Sequence, residues 1–342
     1  MSPRSKVVSY TSFCTTPMTV LERRLDGLLQ DRKGKGRFRQ LREYNQSTAS
    51  SLIDFVCLLS VPVDRANEQS SNDYLSLTDS ASLRSSFLRR LEQSPRILGS
   101  TGSRLLSGST PDHTALETRF REFFDSPSAL LFNSGWDANV SFFATVPQPG
   151  DWVIYDELVH ASVHSGLRAS RVDNKRRIPF RHNDPEGLRE VLKQIDDKGT
   201  VFLTVESLYS MDGDFAPLPA LLDVLDEHVS RDRQCVVADE AHSTGVYGEQ
   251  GRGITHALGE QGRVGVRLMT FGKAVGSSGG MSLALTSLMI AVLLCPPTIR
   301  SFLINFARPF IFSTAISHTS LIALHSAFDL LQSQEGNQVS QI

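Results

Sequence analysis

Between residues 110 and 275, short apolar runs alternate with segments of helical periodicity, and this alternation limits the fold more than any other feature of the chain. The runs cover residues 129–132, 152–155, 201–205, 235–238 and 267–270, each of strand length. Between them, residues 112–125 place Leu116, Phe120, Phe123 and Phe124 on one side, residues 184–196 do the same with Leu188, Val191, Leu192 and Ile195, and residues 216–229 form a third helical stretch. Strands separated by helices predict an α/β domain with a mostly parallel central sheet and helices on both faces. In such a sheet, ligands gather at the carboxyl ends of the strands.

The chain has room for that domain and appendages. Its 342 residues, 40% hydrophobic and 21% charged, can bury a full core. With 35 basic against 37 acidic residues and a formal net charge of -2, there is no electrostatic footprint for nucleic acid or an anionic membrane. The longest uncharged apolar stretch, residues 281–297, is short of the about 20 residues a membrane span needs, so no stable membrane insertion is expected. Cys14, Cys57, Cys235 and Cys295 show no CxxC spacing and do not combine with His182 or His242 as zinc ligands would, so no metal is expected and a reducing, cytoplasmic setting is. The acid-free start, residues 1–21, weakly resembles a transit peptide and leaves organellar targeting open.

Lys273 lies in Thr270-Phe271-Gly272-Lys273-Ala274-Val275-Gly276-Ser277-Ser278-Gly279-Gly280, where a strand delivers an amine into small residues that let a flat ligand approach. The run 235–238 ends in Asp239-Glu240-Ala241-His242, so a carboxylate and an imidazole emerge where that strand stops. Amine, carboxylate and imidazole together suit pyridoxal phosphate, which needs an amine for its aldehyde, an anion for its ring nitrogen and a donor for its phenolic oxygen. Taken singly, each has a plainer reading: a solvated lysine, a strand-end cap, a structural histidine. The combination favours the site. His160, following the 152–155 run, is placed to cover the cofactor ring, and Ser134-Gly135-Trp136 offers a phosphate the free N–H groups of a helix start. Thr270 and Ser210 add hydroxyl donors.

In order along the chain, Ser71-Asn72-Asp73-Tyr74-Leu75, the stretch 99–108 followed by His113 and Leu116-Glu117, residues 131–139, His160-Ala161-Ser162, His182-Asn183-Asp184, and residues 206–214, 239–253, 270–280 and 306–314 resemble the α-oxoamine synthase family of fold-type I pyridoxal phosphate enzymes. The resemblance covers about residues 71–331. It implies a decarboxylative condensation of an amino acid with an acyl-CoA. It also implies that Lys273 holds the cofactor as a Schiff base and carries protons, Asp239 pairs with the ring nitrogen, His242 meets the phenolic oxygen and His160 stacks on the ring. Ser134, Gly135, Trp136 and Thr270 match phosphate-side positions, Ser210 a cofactor-contacting hydroxyl and Asn72 a substrate-side amide. Thr314 resembles a residue that reaches the neighbouring subunit's phosphate, which implies a homodimer. Residues 180–184 and 306–314 are most similar to the branch that uses L-alanine and pimeloyl-CoA, or its carrier-protein equivalent, in biotin biosynthesis.

The same comparison of motifs divides the chain into an N-terminal arm at residues 1–70, a large cofactor domain at 71–315 and the start of a smaller C-terminal domain at 316–342. Within the arm, residues 18–45 are charged and helix-prone, with Leu21, Leu25, Leu28 and Leu29 on one stripe. Residues 56–70 and 281–290 interrupt the family pattern beside the expected site and read as insertions or gene-model errors. The family continues into a domain whose arginine grips the amino-acid carboxylate, and nothing after Leu331 supplies it. Two alternatives therefore stand beside the alanine-using synthase: a related glycine- or serine-using enzyme, and a truncated, non-catalytic partner subunit.

Overall fold

The computed structural model describes residues 20–38, 72–196, 198–277 and 290–333. Its contacts divide the chain into two units, Met1–Ser50 and Ser51–Ile342. The first contributes helix α1 (Val20–Gly34), within the stretch expected to be helical, with its leucine stripe exposed. Of the stretches read above as insertions, 56–70 and all of 281–290 but Ile290 lie outside the described residues, as does the expected boundary at residue 70.

In the second unit, helices α2 (Ala81–Gln93) and α3 (Pro111–Phe123) lead into strand β1 (Ser128–Phe132). Then follow α4 (Gly135–Thr145), β2 (Trp152–Asp156), α5 (Ala161–Ala169), β3 (Arg177–Phe180), α6 (Pro185–Leu192), β4 (Val201–Glu206), α7 (Leu218–His228) and β5 (Gln234–Asp239). The short α8 (Ile254–Ala257), β6 (Val266–Thr270), β7 (Ala291–Cys295), α9 (Pro297–Phe306), α10 (Arg308–Phe312) and α11 (His318–Leu331) complete it. The sheet runs in the order β1-β7-β6-β5-β4-β2-β3. Strands β6, β5, β4, β2 and β3 pair in parallel, while β7 is antiparallel to both its neighbours.

All five strands expected from the apolar runs are present, and the structure adds two. Strand β3 carries Pro179 at the sheet edge, where a missing backbone donor costs least, and its mixed Arg-Ile-Pro-Phe composition hides it in the sequence. Strand β7 is fully buried between β1 and β6, and its apolar residues merge into the long run 281–297.

Side-chain alternation explains why both faces are covered. Leu130 and Phe132 of β1 join Ala291 and Leu293 of β7 against α4, α5, α9 and α10. Ala129, Leu131, Val292 and Leu294 point the other way, toward α3 and α11. Farther along that second face, Leu203, Val205, Val236 and Ala238 pack on α6 and α7. A cluster of Phe120, Phe123, Phe124, Phe271 and Phe328 ties α3 and α11 to the segment after β6, with Phe123 and Phe328 edge to face at 5.2 Å.

One buried anion joins the motifs at this end of the sheet. Glu117 accepts from Arg104 Nη2 at 2.9 Å, Arg300 Nη2 at 2.8 Å and the backbone N–H of Leu131 at 3.0 Å. Helix α3 presents it there because Thr110 and His113 form a capping box, with Pro111 in the first turn. Removing the carboxylate strands two guanidinium groups and an amide, so Glu117→Ala should lower unfolding stability by about 3–5 kcal/mol in urea titrations. A loss below about 1 kcal/mol would show that the network does not anchor β1.

Candidate active site

The register of the parallel strands sets the site. Glu206, the last residue of β4, pairs with Asp239, the last residue of β5, and Asp239 pairs in turn with Leu268 of β6. Two carboxylates therefore sit side by side at the carboxyl edge of the sheet, both buried. Lys273 follows β6 in a tight turn and is only 7% exposed. Burial lowers its pKa, while Asp239 and Glu206 pull it back up.

Lys273 Nζ lies 2.6 Å from His242 Nε2, and His242 Nδ1 lies 2.8 Å from the Tyr74 hydroxyl. Burial first, then Lys273 and His160, push the His242 pKa down to about 3, so this imidazole is neutral at physiological pH. Asp239 is fixed from two sides: Asn139 Nδ2 donates to Oδ2 at 2.8 Å and the Ala241 N–H to Oδ1 at 3.0 Å. The same Asn139 amide donates to Ser162 Oγ at 3.0 Å, and Ser162 Oγ lies 2.7 Å from His160 Nδ1. The Ser162 backbone N–H also donates to His160 Nδ1 at 3.3 Å, so Nδ1 is an acceptor, the serine hydroxyl donates to it and the His160 proton lies on Nε2. Burial also lowers the His160 pKa, against the pull of Asp239 and with the push of Lys273. Lys273, Asp239, His160 and His242, singled out separately in the sequence, thus share one neighbourhood.

The residues expected on the phosphate side lie as follows. A Cβ on Gly135 would come within 2.8 Å of Thr270 Cγ2, so glycine is what lets the start of α4 close on the end of β6. Ser134 caps α4 by accepting from the Asp137 N–H at 2.9 Å, and Trp136 stands edge-on to His160 with ring centroids 6.0 Å apart. The Thr270 hydroxyl donates to the Ala241 carbonyl at 3.1 Å. Ser210 follows β4, and its backbone N–H and that of His160 both act on the Glu206 carboxylate. Asn72 is exposed and accepts from the Tyr74 hydroxyl at 3.0 Å. Thr314 is placed differently: it is exposed, bridged to Ser103 and held by Asn133 Nδ2 at 2.8 Å, near the end of β1 rather than in the Lys273 cluster.

Tyr74, Asn139, Ser162, Glu206 and Glu240 were not singled out in the sequence. Asn139 and Ser162 lie inside the motifs 131–139 and 160–162, where nothing local sets them apart from their neighbours. Glu206 follows the apolar run 201–205 and opens the motif 206–214, with no local sign of a partner. Glu240, next to Asp239, is fully buried and holds the loop carrying His242, accepting from Ile254 N and Thr255 N at 2.8 Å each, from Ser207 Oγ at 3.0 Å and from the Ser243 hydroxyl. Among the described residues, no group of His, Cys, Asp and Glu could hold a metal ion.

A family model for aminotransferase class I and II matches residues 70–342. This chain belongs to that family. Within it, the chain is 42% identical over 272 residues to the 8-amino-7-oxononanoate synthase of Emericella nidulans, covering 77% of this chain and 63% of the relative. It is 34% identical to the enzyme of the same name from Trichlorobacter lovleyi, covering 95% of this chain and 75% of that one. Among solved structures it is similar to a lysine-to-alanine variant of serine palmitoyltransferase from S. paucimobilis with a bound PLP–myriocin aldimine, with a TM-score of 0.66 and 27% identity, covering 78% of this chain and 63% of that one. These relatives place the chain in the α-oxoamine synthase branch of the class I and II family. The chain spans less than two thirds of the length of the Emericella relative.

Glu206 supplies a pH test of this geometry. Burial first and Asp239 second raise its pKa from 4.5 to about 8, against the pull of Lys273. The folded state then holds a proton that the unfolded chain has lost, so the associated stability is full below about 4.5 and is lost as the pH rises through about 8. Glu206→Gln should flatten the fall of unfolding stability across that window, measured by urea titration at several pH values. An unchanged slope would show that Glu206 is already ionised.

Proposed function

We propose that this chain is a pyridoxal phosphate-dependent α-oxoamine synthase that condenses L-alanine with an acyl-CoA of the pimeloyl-CoA type, releasing carbon dioxide and free CoA. The observation that carries this reading is Lys273, buried beside Asp239, Glu206, His242 and His160 at the carboxyl edge of a parallel sheet. The residues fit the cofactor. Lys273 provides an amine whose ammonium form is disfavoured by burial, Asp239 a fixed buried anion for a ring N–H, and the close approach of Gly135 to Thr270 a cradle at the start of α4 for a phosphate.

When bound, pyridoxal phosphate withdraws electrons from the substrate α-carbon. Lys273 removes the α-proton and later returns it, a role suited to an amine with a lowered pKa. His160, neutral with its proton on Nε2, covers the reacting face, and Asn72 and Ser210 orient substrate and cofactor. Alanine and the pimeloyl chain are supported by the resemblance at residues 180–184 and 306–314 and by the names of the Emericella and Trichlorobacter relatives. A serine-using enzyme is the second reading, favoured by the likeness to serine palmitoyltransferase.

A homodimer agrees with the surface near Thr314. Leu98, Leu106 and Phe312 are 76%, 81% and 74% exposed, and the Ser103–Thr314 bridge brings their segments together. A second copy covering these residues would place Thr314 at the shared boundary. We assign the protein to the cytoplasm on its cysteine pattern; Cys235 and Cys295 are free thiols, and among the described residues no helix is long and apolar enough to cross a membrane.

Purified protein incubated with pyridoxal phosphate should gain the visible band of a lysine-bound cofactor and release CoA from pimeloyl-CoA fastest with L-alanine. Lys273→Ala should remove the band and slow release by about a thousandfold or more. Faster turnover with serine would favour the second reading, whereas a band without CoA release from alanine, glycine or serine would leave the non-catalytic partner subunit.

A further inference from the structure

The segment containing Tyr74 is built onto the lysine loop. The Asp73 carboxylate accepts from Leu77 N at 3.1 Å, Thr78 N at 3.2 Å and the Thr78 hydroxyl, folding residues 73–78 into a compact turn. Leu77 enters the core cluster that contains Phe271 and Val275. Gly276 has φ of 62°, and a Cβ there would lie 3.3 Å from Thr78 Cγ2 and 3.4 Å from Leu77 Cβ, so glycine permits the contact. This docking delivers the Tyr74 hydroxyl to His242.

The resulting chain of hydrogen bonds has a direction. The Asn72 carbonyl oxygen can only accept, so the Tyr74 hydroxyl donates to it. The Tyr74 oxygen then receives the Nδ1 proton of His242, and Nε2, left with its lone pair, receives a Lys273 N–H. One end of the chain is the buried Lys273 and the other the exposed Asn72. Burial pushes the Tyr74 pKa up to about 12 and the His242 pKa down to about 3, so neither relay group rests in a charged form.

We propose that His242 and Tyr74 form a proton relay that carries a proton from Lys273 to solvent at Asn72, with Tyr74 as a further positioning residue that sets the tautomer of His242. In one passage, Nε2 takes a proton from the Lys273 ammonium, Nδ1 passes its own proton to the Tyr74 oxygen, and the Tyr74 hydroxyl gives up its original proton to water beside Asn72. The balance is one proton from Lys273 to solvent. Lys273 ends as a neutral amine with a free lone pair, and His242 ends protonated on Nε2. It has changed from an acceptor facing the site into a donor, the form expected above for a phenolic oxygen. The assignment of the relay's purpose rests on the pyridoxal phosphate reading; the tautomer in the free protein does not.

The test uses the full chain with 15N-labelled histidine. In the free protein near neutral pH, long-range 15N–1H correlations should show His242 protonated on Nδ1, and Tyr74→Phe should lose that preference. Wild-type protein with Nε2 protonated would overturn the relay, and this measurement decides even if the variant fails to fold. In stopped-flow mixing with pyridoxal phosphate, Tyr74→Phe should slow growth of the visible band by about 10²-fold, and added imidazole buffer should restore part of the rate. A merely structural tyrosine would not respond to buffer, so an unchanged rate, or a slow rate that imidazole leaves untouched, counts against the relay. If the wild type takes up no pyridoxal phosphate, the cofactor reading fails while the free-protein tautomer still tests Tyr74.

Discussion

Two carboxylates in register on neighbouring parallel strands are the constraint around which this site is organised. Glu206 and Asp239 end β4 and β5 at the same level, in a place where neither is well solvated. Both cannot be ionised there without a compensating positive charge, and Lys273 is the cation brought against them. The structure resolves the conflict by separating their roles. Asp239 is braced by Asn139 and the Ala241 amide as an anion, whereas Glu206 is driven toward its protonated form.

That arrangement persists only because the loops beyond the strand ends are held from below. Glu240 gathers two backbone amides and two serine hydroxyls, so the turn carrying His242 has a buried anion at its base. Glu117 performs a comparable task between α3, β1 and α9, on the side of the sheet closed by the phenylalanine cluster. A buried charge satisfied by several donors is costly to remove and therefore locks the backbone that supplies them.

The histidines show how much depends on hydrogen-bond polarity. His160 is made an acceptor at Nδ1 by the backbone N–H and hydroxyl of Ser162, while His242 is made a donor at Nδ1 by Tyr74 and Asn72. Two neutral imidazoles in one site thus hold opposite tautomers. Their difference arises from Ser162 in one case and from Tyr74 and Asn72 in the other, none of which is itself charged at physiological pH.

The amino-acid sequence alone determined the periodic part of the architecture. The short apolar runs of β1, β2, β4, β5 and β6 and the helical spacing of α3, α6 and α7 are local properties, and ordered motifs marked Lys273, Asp239, His160 and His242 as candidates. Strand β3 escaped because an edge strand tolerates proline and arginine, and β7 because its apolar residues continue the uncharged run 281–297 with no turn signal to mark where the strand begins. Tertiary structure alone decided that Glu206 faces Asp239, that Asn139 spans to Asp239 across 100 positions, and that Tyr74 reaches His242 across 168. The physical reason is that strand order, burial and the direction of a hydrogen bond are properties of two partners at once, and a linear chain records only one of them at a time.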